Sequence, residues 1–179
     1  MQGAARQIGT VPIYASACCK WGLSLFVLVS ASAQAFDANG VALGATEAEL
    51  LKAFPGARCK PMSWKTAAAD RRCDDADVEV AGARARISFY LKRDAVQAFD
   101  VRFESNDLPA ITAHLKASYG APASERTEDF ERGRNTREIR KLAWKQGADQ
   151  AVLTSQVKRR RVDLNVWRGD FDTEIYRFR

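Results

Sequence analysis

The sequence ARISFYLK at positions 85–92 decides the fold, because apolar and polar residues alternate strictly along it. In a β-strand this pattern places Ile87 and Phe89 on one face and Ser88 and Tyr90 on the other. The sequence FDVRF at 99–103 repeats the pattern after a turn at residues 93–94. With a shorter apolar stretch at 78–80, the pattern predicts an antiparallel meander of three strands, one face on the core and one in water.

A helix is predicted before these strands, and a second one after them. Thr46 can cap the first helix and Glu49 can reach back to it, which is the pattern of a capping box. The sequence Pro-Gly at 55–56 ends that helix. The second helix follows Asn106-Asp107, with apolar residues at helical spacing from 108 to 119, and Gly120 ends it.

Three more strands are predicted in the second half of the chain. Their ranges are 139–145, 151–157 and 162–167, and turns at 147–149 and 158–161 join them. The charged segment 124–137 is expected to be a loop, as is 60–72 with a short helical turn at 65–69. Residues 171–179 alternate loosely and suggest an edge strand.

The order of elements predicts an α+β fold. It consists of two tandem units of one helix and three strands, at about 41–104 and 105–168, which form a mostly antiparallel sheet with the helices on one face. The sequences LKAFPGA at 51–57 and LKASYGA at 115–121 are identical at five of seven positions, which favours an internal repeat.

The opening sequence GVALGATEAELLKAFPG at 40–56 resembles the helix start shared by two groups of exported proteins. In its two tandem units the chain is similar to the β-lactamase inhibitory protein, and in each single unit to the small lipoprotein of the outer-membrane barrel-assembly machinery. This resemblance implies a non-enzymatic protein that binds other proteins through an open, curved sheet. The chain departs from the assembly lipoprotein because no cysteine that could be lipidated follows its apolar leader.

The N-terminal residues are expected to be a cleaved signal peptide. An apolar run of about 13 residues follows Lys20, which is shorter than the ~20 residues of a membrane span. The sequence Ala-Gln-Ala at 33–35 fits a cleavage site between Ala35 and Phe36. Cleavage leaves a single domain at 36–179 that does not span a membrane and is periplasmic or secreted. Without Arg6 and Lys20 it has 28 − 2 = 26 basic and 22 acidic residues, a net charge of +4.

Cys59 and Cys73 are the two cysteines that remain after cleavage. In an oxidising compartment an even pair favours a disulfide, here one that bridges the segment between the first helix and the first strand. We expect Trp64 to pack against it. A metal site or a redox pair is disfavoured, since 13 intervening residues match neither a zinc spacing nor Cys-x-x-Cys.

Catalytic chemistry finds little support in the sequence. His114 is the only histidine, and it falls on the flank of the second helix. Paired acids such as Asp74-Asp75 lie in predicted turns, and no phosphate-binding or dinucleotide-binding loop is present in the sequence. We therefore predict no catalytic residue, no bound metal and no cofactor, and an enzyme is the least favoured of three hypotheses.

A protein partner is the leading hypothesis. Tyr90, Arg102 and Trp167 point away from the predicted core, and such residues are common anchors of interfaces. The alternative is an anionic lipid or cell-wall polymer bound by the basic turn Lys158, Arg159, Arg160 and Arg161. Export argues against nucleic acid as the partner of this turn.

Overall fold

The computed structural model of the chain describes residues 35–132, 135–156 and 160–177. The predicted leader before Ala35 lies outside the described residues, as do Lys158 and Arg159 of the basic turn. No helix among the described residues has the length and apolar character needed to cross a bilayer.

Ten strands and three helices follow one another in the described chain. They are β1 (Asp37–Ala38), β2 (Val41–Ala42), α1 (Glu47–Ala53), β3 (Arg58–Pro61), β4 (Arg71–Val80), β5 (Ala83–Lys92), β6 (Ala95–Glu104), α2 (Leu108–Tyr119), β7 (Ser124–Arg132), β8 (Asn135–Gln146), β9 (Asp149–Gln156), β10 (Arg161–Arg168) and α3 (Phe171–Glu174). A 3₁₀ turn at Ser105–Asp107 leads into α2. The architecture is therefore mostly sheet, with three helices.

Eight of the strands form one antiparallel sheet in the order β3-β4-β5-β6-β10-β9-β8-β7, and β1 and β2 form a separate two-stranded sheet. Strands β6 and β10, each the last of its set, pair at the centre of the large sheet. Four strands therefore follow each of α1 and α2, where the sequence predicted three.

The additional strand is the first one of each set, β3 or β7. The loop prediction is wrong at residues 60–61 of β3 and along the whole of β7. Residues 58–61 form β3, and the charged segment from Ser124 forms β7, which pairs along its whole length with β8. Both are edge strands, with a partner on one side only. Charged residues are common on edge strands because they discourage pairing with other chains, so these strands lack the apolar alternation of central ones.

The capping box of α1 forms as predicted. The Glu49 backbone N–H donates to Thr46 Oγ1 at 3.3 Å, and the Thr46 backbone N–H donates to Glu49 Oε2 at 2.8 Å. These two bonds satisfy amide groups that have no partner within the helix. They fix the start of α1, so that its buried Leu50 faces the sheet.

The main core contains buried residues of the large sheet together with Leu50 of α1 and Ile111, Leu115 and Tyr119 of α2. Phe54 directly follows α1, and its ring lies 5.1 Å from the Phe89 ring on β5. The Phe89 ring in turn lies 5.7 Å from the Phe99 ring on β6. From α2, the Tyr119 ring lies 6.0 Å from that of Trp144, and Trp144 Nε1 donates to the Gly120 carbonyl at 2.9 Å. Trp144, 3% exposed, is thus a core residue.

The C-terminal segment is not the predicted edge strand. It forms the single turn of α3, and its Phe171 and Ile175 pack in a second apolar cluster that also contains Tyr90, Ala98 and Trp167. An alternation over so few residues does not distinguish a strand from an amphipathic turn of helix. The segment thereby covers part of the sheet face that the main core leaves open.

Candidate binding groove

The second face of the sheet, defined as the face opposite the main core, carries side chains in rows that cross the strands. The strand register aligns Tyr90 of β5 with Ala98 of β6, and Ala98 with Trp167 of β10. These three residues are the apolar row. The next row along the strands, the polar row, contains Asp74, Ser88, Asp100 and Asn165. The row after it, the basic row, contains Arg86, Arg102, Asp163 and Thr154. The second face is thus apolar at one end and charged at the other.

The apolar row lies under the C-terminal segment and the loop at 62–70. Tyr90 is only 9% exposed, and its ring lies 5.4 Å from that of Phe171. Trp64 Nε1 donates to the Ile175 carbonyl at 3.1 Å, and Thr66 Oγ1 donates to the Glu174 carbonyl at 3.0 Å. Trp64 therefore joins the second cluster and does not pack against the disulfide, contrary to prediction.

The polar row forms the floor of a shallow groove that crosses β4, β5, β6, β10 and β9. At its β4 end, Arg72 Nε donates to Asp74 Oδ1 at 2.7 Å and Arg72 Nη2 donates to Ser88 Oγ at 3.1 Å. The Ser88 hydroxyl in turn donates to the same Asp74 oxygen at 2.7 Å. Because these three side chains form one hydrogen-bond network, the donors and acceptors at this end of the groove have fixed positions.

Asp100 lies at the centre of the groove floor, where the polar row meets the apolar row. Burial raises the pKa of its carboxyl group to about 6, against the opposing effect of the Tyr90 hydroxyl and the Arg72 guanidinium. The negative charges of Asp163 and Asp172 raise this pKa further. Burial also raises the pKa of the Tyr90 hydroxyl far above its ordinary value. At the groove floor Tyr90 is buried and Asp100 is half-buried, which disfavours the charged form of both groups.

The basic row contributes the exposed side of the groove. Arg102 Nε donates to Asp163 Oδ1 at 3.1 Å, and Arg161 Nε donates to both oxygens of Asp163 at 2.9 and 2.6 Å. The Arg102 side chain is 53% exposed, whereas that of Asp163 is 18% exposed. Asp163 thus fixes two guanidinium groups from below while they face the solvent.

The predicted binding residues have different locations. Tyr90, Arg102 and Trp167 all lie outside the main core, as the alternation predicts, but only Arg102 is exposed. Tyr90 is buried and Trp167 half-buried, because α3 covers them, so neither presents a free aromatic surface. In the basic turn, Arg160 is exposed and Arg161 is half-buried at the end of the groove.

Sequence reasoning missed Arg86, Asp100 and Asp163 as members of this site. The sequence contains the signal that could have identified them, because all three occupy polar positions in strands where apolar and polar residues alternate. Arg86 is four residues before Tyr90 and Asp100 is two before Arg102, so the same periodicity puts them on the second face.

The predicted pair Cys59–Cys73 has its sulfur atoms at disulfide distance, and it joins directly opposed residues of β3 and β4. Cys73 is buried in the main core, and Cys59 is half-buried against it. The Glu47 carboxylate lies within 4.8 Å of both sulfur atoms. These three residues do not form a metal site, since sulfur atoms bonded to each other are no longer thiolate ligands.

His114 is exposed on α2, as predicted from its position on the flank of the helix. Its Nε2 lies 3.5 Å from the hydroxyl oxygen of Ser118, one turn further along the helix. In the described part of the chain no carboxylate hydrogen-bonds to His114. The pair therefore lacks the orienting third group of a nucleophile–base arrangement.

Comparisons of this chain with protein-family models, with curated proteins and with solved structures find no match.

Proposed function

We propose that this chain is an exported, non-enzymatic binding module that recognises another protein through the groove of the second face. In this proposal the leader ends at Ala35, and residues 36–179 act in the periplasm or outside the cell as an inhibitor or as an accessory of envelope assembly. The observation that carries the proposal is the groove itself, which crosses five strands and alternates arginine with aspartate. Polar and charged side chains held by neighbours on a rigid sheet are suited to specific recognition.

The order of elements supports a tandem origin for this surface. Each unit in the proposal consists of one helix and four strands, α1 with β3–β6 and α2 with β7–β10, and the two units meet where β6 pairs with β10. The similar segments 51–57 and 115–121 each contain the C-terminal end of a helix, α1 in the first and α2 in the second. With α1 and α2 on the main-core face, the repeat leaves the opposite face for a partner.

The aromatic residues have a different role in the proposal from the one expected from sequence. Tyr90 and Trp167 pack with α3 and the loop at 62–70, and the C-terminal segment forms one wall of the groove. Tyr176 on this wall is 70% exposed, so it is an aromatic residue that a partner could contact.

Affinity capture from envelope extract tests the proposal. The bait is the full domain, and the groove variant combines Arg102→Glu with Asn165→Glu, two exposed positions of the second face. Lys52→Glu, at an exposed position on α1, is the control for charge reversal. We expect one protein in stoichiometric amount with the wild type and the control, and its loss with the groove variant. Equal capture by all three proteins would rule out the groove as the binding surface.

A further inference from the structure

Two arginines lie directly opposite each other at the charged end of the groove. Arg86 of β5 and Arg102 of β6 are register partners on the second face, and both side chains are exposed. Directly opposed residues have Cβ atoms about 4.5–5.5 Å apart, and like charges at such positions destabilise a sheet. The folded protein therefore bears an electrostatic cost here that its own packing does not explain.

The neighbouring acids do not neutralise this cluster. Asp163 is the register partner of Arg102, and it is shared with Arg161, so one carboxylate serves two guanidinium groups. Arg86 forms no ion pair with any described residue. On its other side the β4–β5 register shifts between Asp75 and Val78, so no residue of β4 is aligned with it. Glu104 is the register partner of Arg161, but no ion pair joins their side chains. Among the described residues, Asp163 is thus the one carboxylate paired with this cluster, and it contacts only Arg102 and Arg161.

The orientation of the guanidinium groups leaves them able to bind a further anion. Arg102 and Arg161 each use Nε to reach Asp163, and within the described residues their Nη atoms donate no hydrogen bond. Arginine binds carboxylates in a two-point arrangement that uses such free N–H edges. Asp163 holds the two side chains in place, which lowers the entropy cost of binding.

We propose that Arg86, Arg102 and Arg161 form a carboxylate-binding site that receives an acidic side chain from a segment of the partner protein. This inference rests on the proposed function and specifies the chemistry of its partner. The row beside the cluster contains Asp100, and Arg72 is already paired with Asp74 of that row, so the row offers no free cation to a continuous polyanion lying along the groove. A protein segment with one or two acidic residues flanked by neutral or basic ones matches both rows. The charge pattern therefore favours a protein segment over a lipid surface or an anionic polymer.

Titration of the ¹⁵N-labelled domain with a short peptide in which two glutamates are flanked by serine and lysine residues tests the site, with the arginine Nε–H and backbone amide signals as the readout. We expect shifts centred on Arg86, Arg102 and Arg161, and weaker binding as salt rises from about 0.05 M to about 0.5 M. Arg86→Gln and Arg102→Gln should each weaken the affinity for this peptide at least about fivefold, the effect of ~1 kcal/mol. Arg102→Lys keeps the charge but loses the two-point geometry, and it should give an intermediate loss.

Lys52→Gln is the matched control, because it removes one positive charge from an exposed position on α1, whose Leu50 packs in the main core. An equal loss of affinity in this control would overturn the proposal, since binding would then follow net charge alone. Phosphatidylglycerol vesicles that bind more tightly than the peptide, with the same dependence on Arg86 and Arg102, would also overturn it in favour of a lipid surface. A partner captured equally by wild type and Arg86→Gln would refute this site and leave the proposed function intact.

Discussion

Replacement of Asp100 by asparagine should stabilise the protein at neutral pH and leave its stability nearly unchanged in acid. The Asp100 carboxyl group lies beneath the groove, and its burial raises its pKa to about 6 from an ordinary value of 3.8. Ionisation of this group is therefore less favourable in the folded chain than in the unfolded chain. Asparagine has a similar shape and cannot ionise, so the variant avoids that cost.

The magnitude follows from the two pKa values. Between about pH 4 and about pH 6 the folded protein binds the proton more tightly than the unfolded chain, so the free energy of unfolding falls as the pH rises. A pKa difference of about 2 corresponds to ~3 kcal/mol at most, reached above the folded pKa. Relative to wild type, Asp100→Asn should therefore gain stability progressively across this interval and show a constant difference above about pH 7.

Urea denaturation monitored by tryptophan fluorescence at about pH 4, 5, 6 and 7.5 measures this difference. The other ionisable groups titrate in both proteins, so their contributions largely cancel when the two curves are subtracted. Asp129→Asn removes an exposed carboxylate from β7 and serves as the control for net charge. A free-energy difference between Asp100→Asn and wild type that does not change with pH would show that burial does not raise the pKa of Asp100.

Three further changes test other parts of the structure. The double variant Cys59→Ser/Cys73→Ser should fold by circular dichroism but lose about 2–4 kcal/mol in urea denaturation, and an unchanged unfolding midpoint would contradict this. Ser155 has a buried hydroxyl group without a hydrogen-bond partner among the described residues, so Ser155→Ala should raise the free energy of unfolding by about 1 kcal/mol; a loss of stability would refute that reading. Trp64→Phe removes the bond to the Ile175 carbonyl, and it should speed hydrogen exchange at 171–177 while that of α2 stays unchanged.

Much of the sheet could be predicted because its central strands obey a simple rule. β5 and β6 have one face on the core, so apolar residues recur at every second position and define the strands. The rule fails at the edges of the sheet. Backbone hydrogen bonds to β8 hold β7, and its polar side chains follow no apolar period.

The groove could be predicted only in part. The alternation that places Arg102 on the second face also places Arg86 and Asp100 there, so the charged residues were within reach of sequence reasoning. The cover over Tyr90 was not, because it depends on docking α3 against a loop more than 100 residues away in the chain, through Trp64 and Thr66. No local pattern contains that contact.

Photo-crosslinking in the cells that make the protein tests the central claim most directly. A photoreactive amino acid is placed at Asn165 in the groove, and in a second protein at Ala113 on the exposed side of α2. We expect one major crosslinked protein partner from the Asn165 position, and no crosslinked protein in comparable yield from Ala113. Crosslinks from Ala113 alone, or the same products from both positions, would contradict the claim that the second face of the sheet binds the partner.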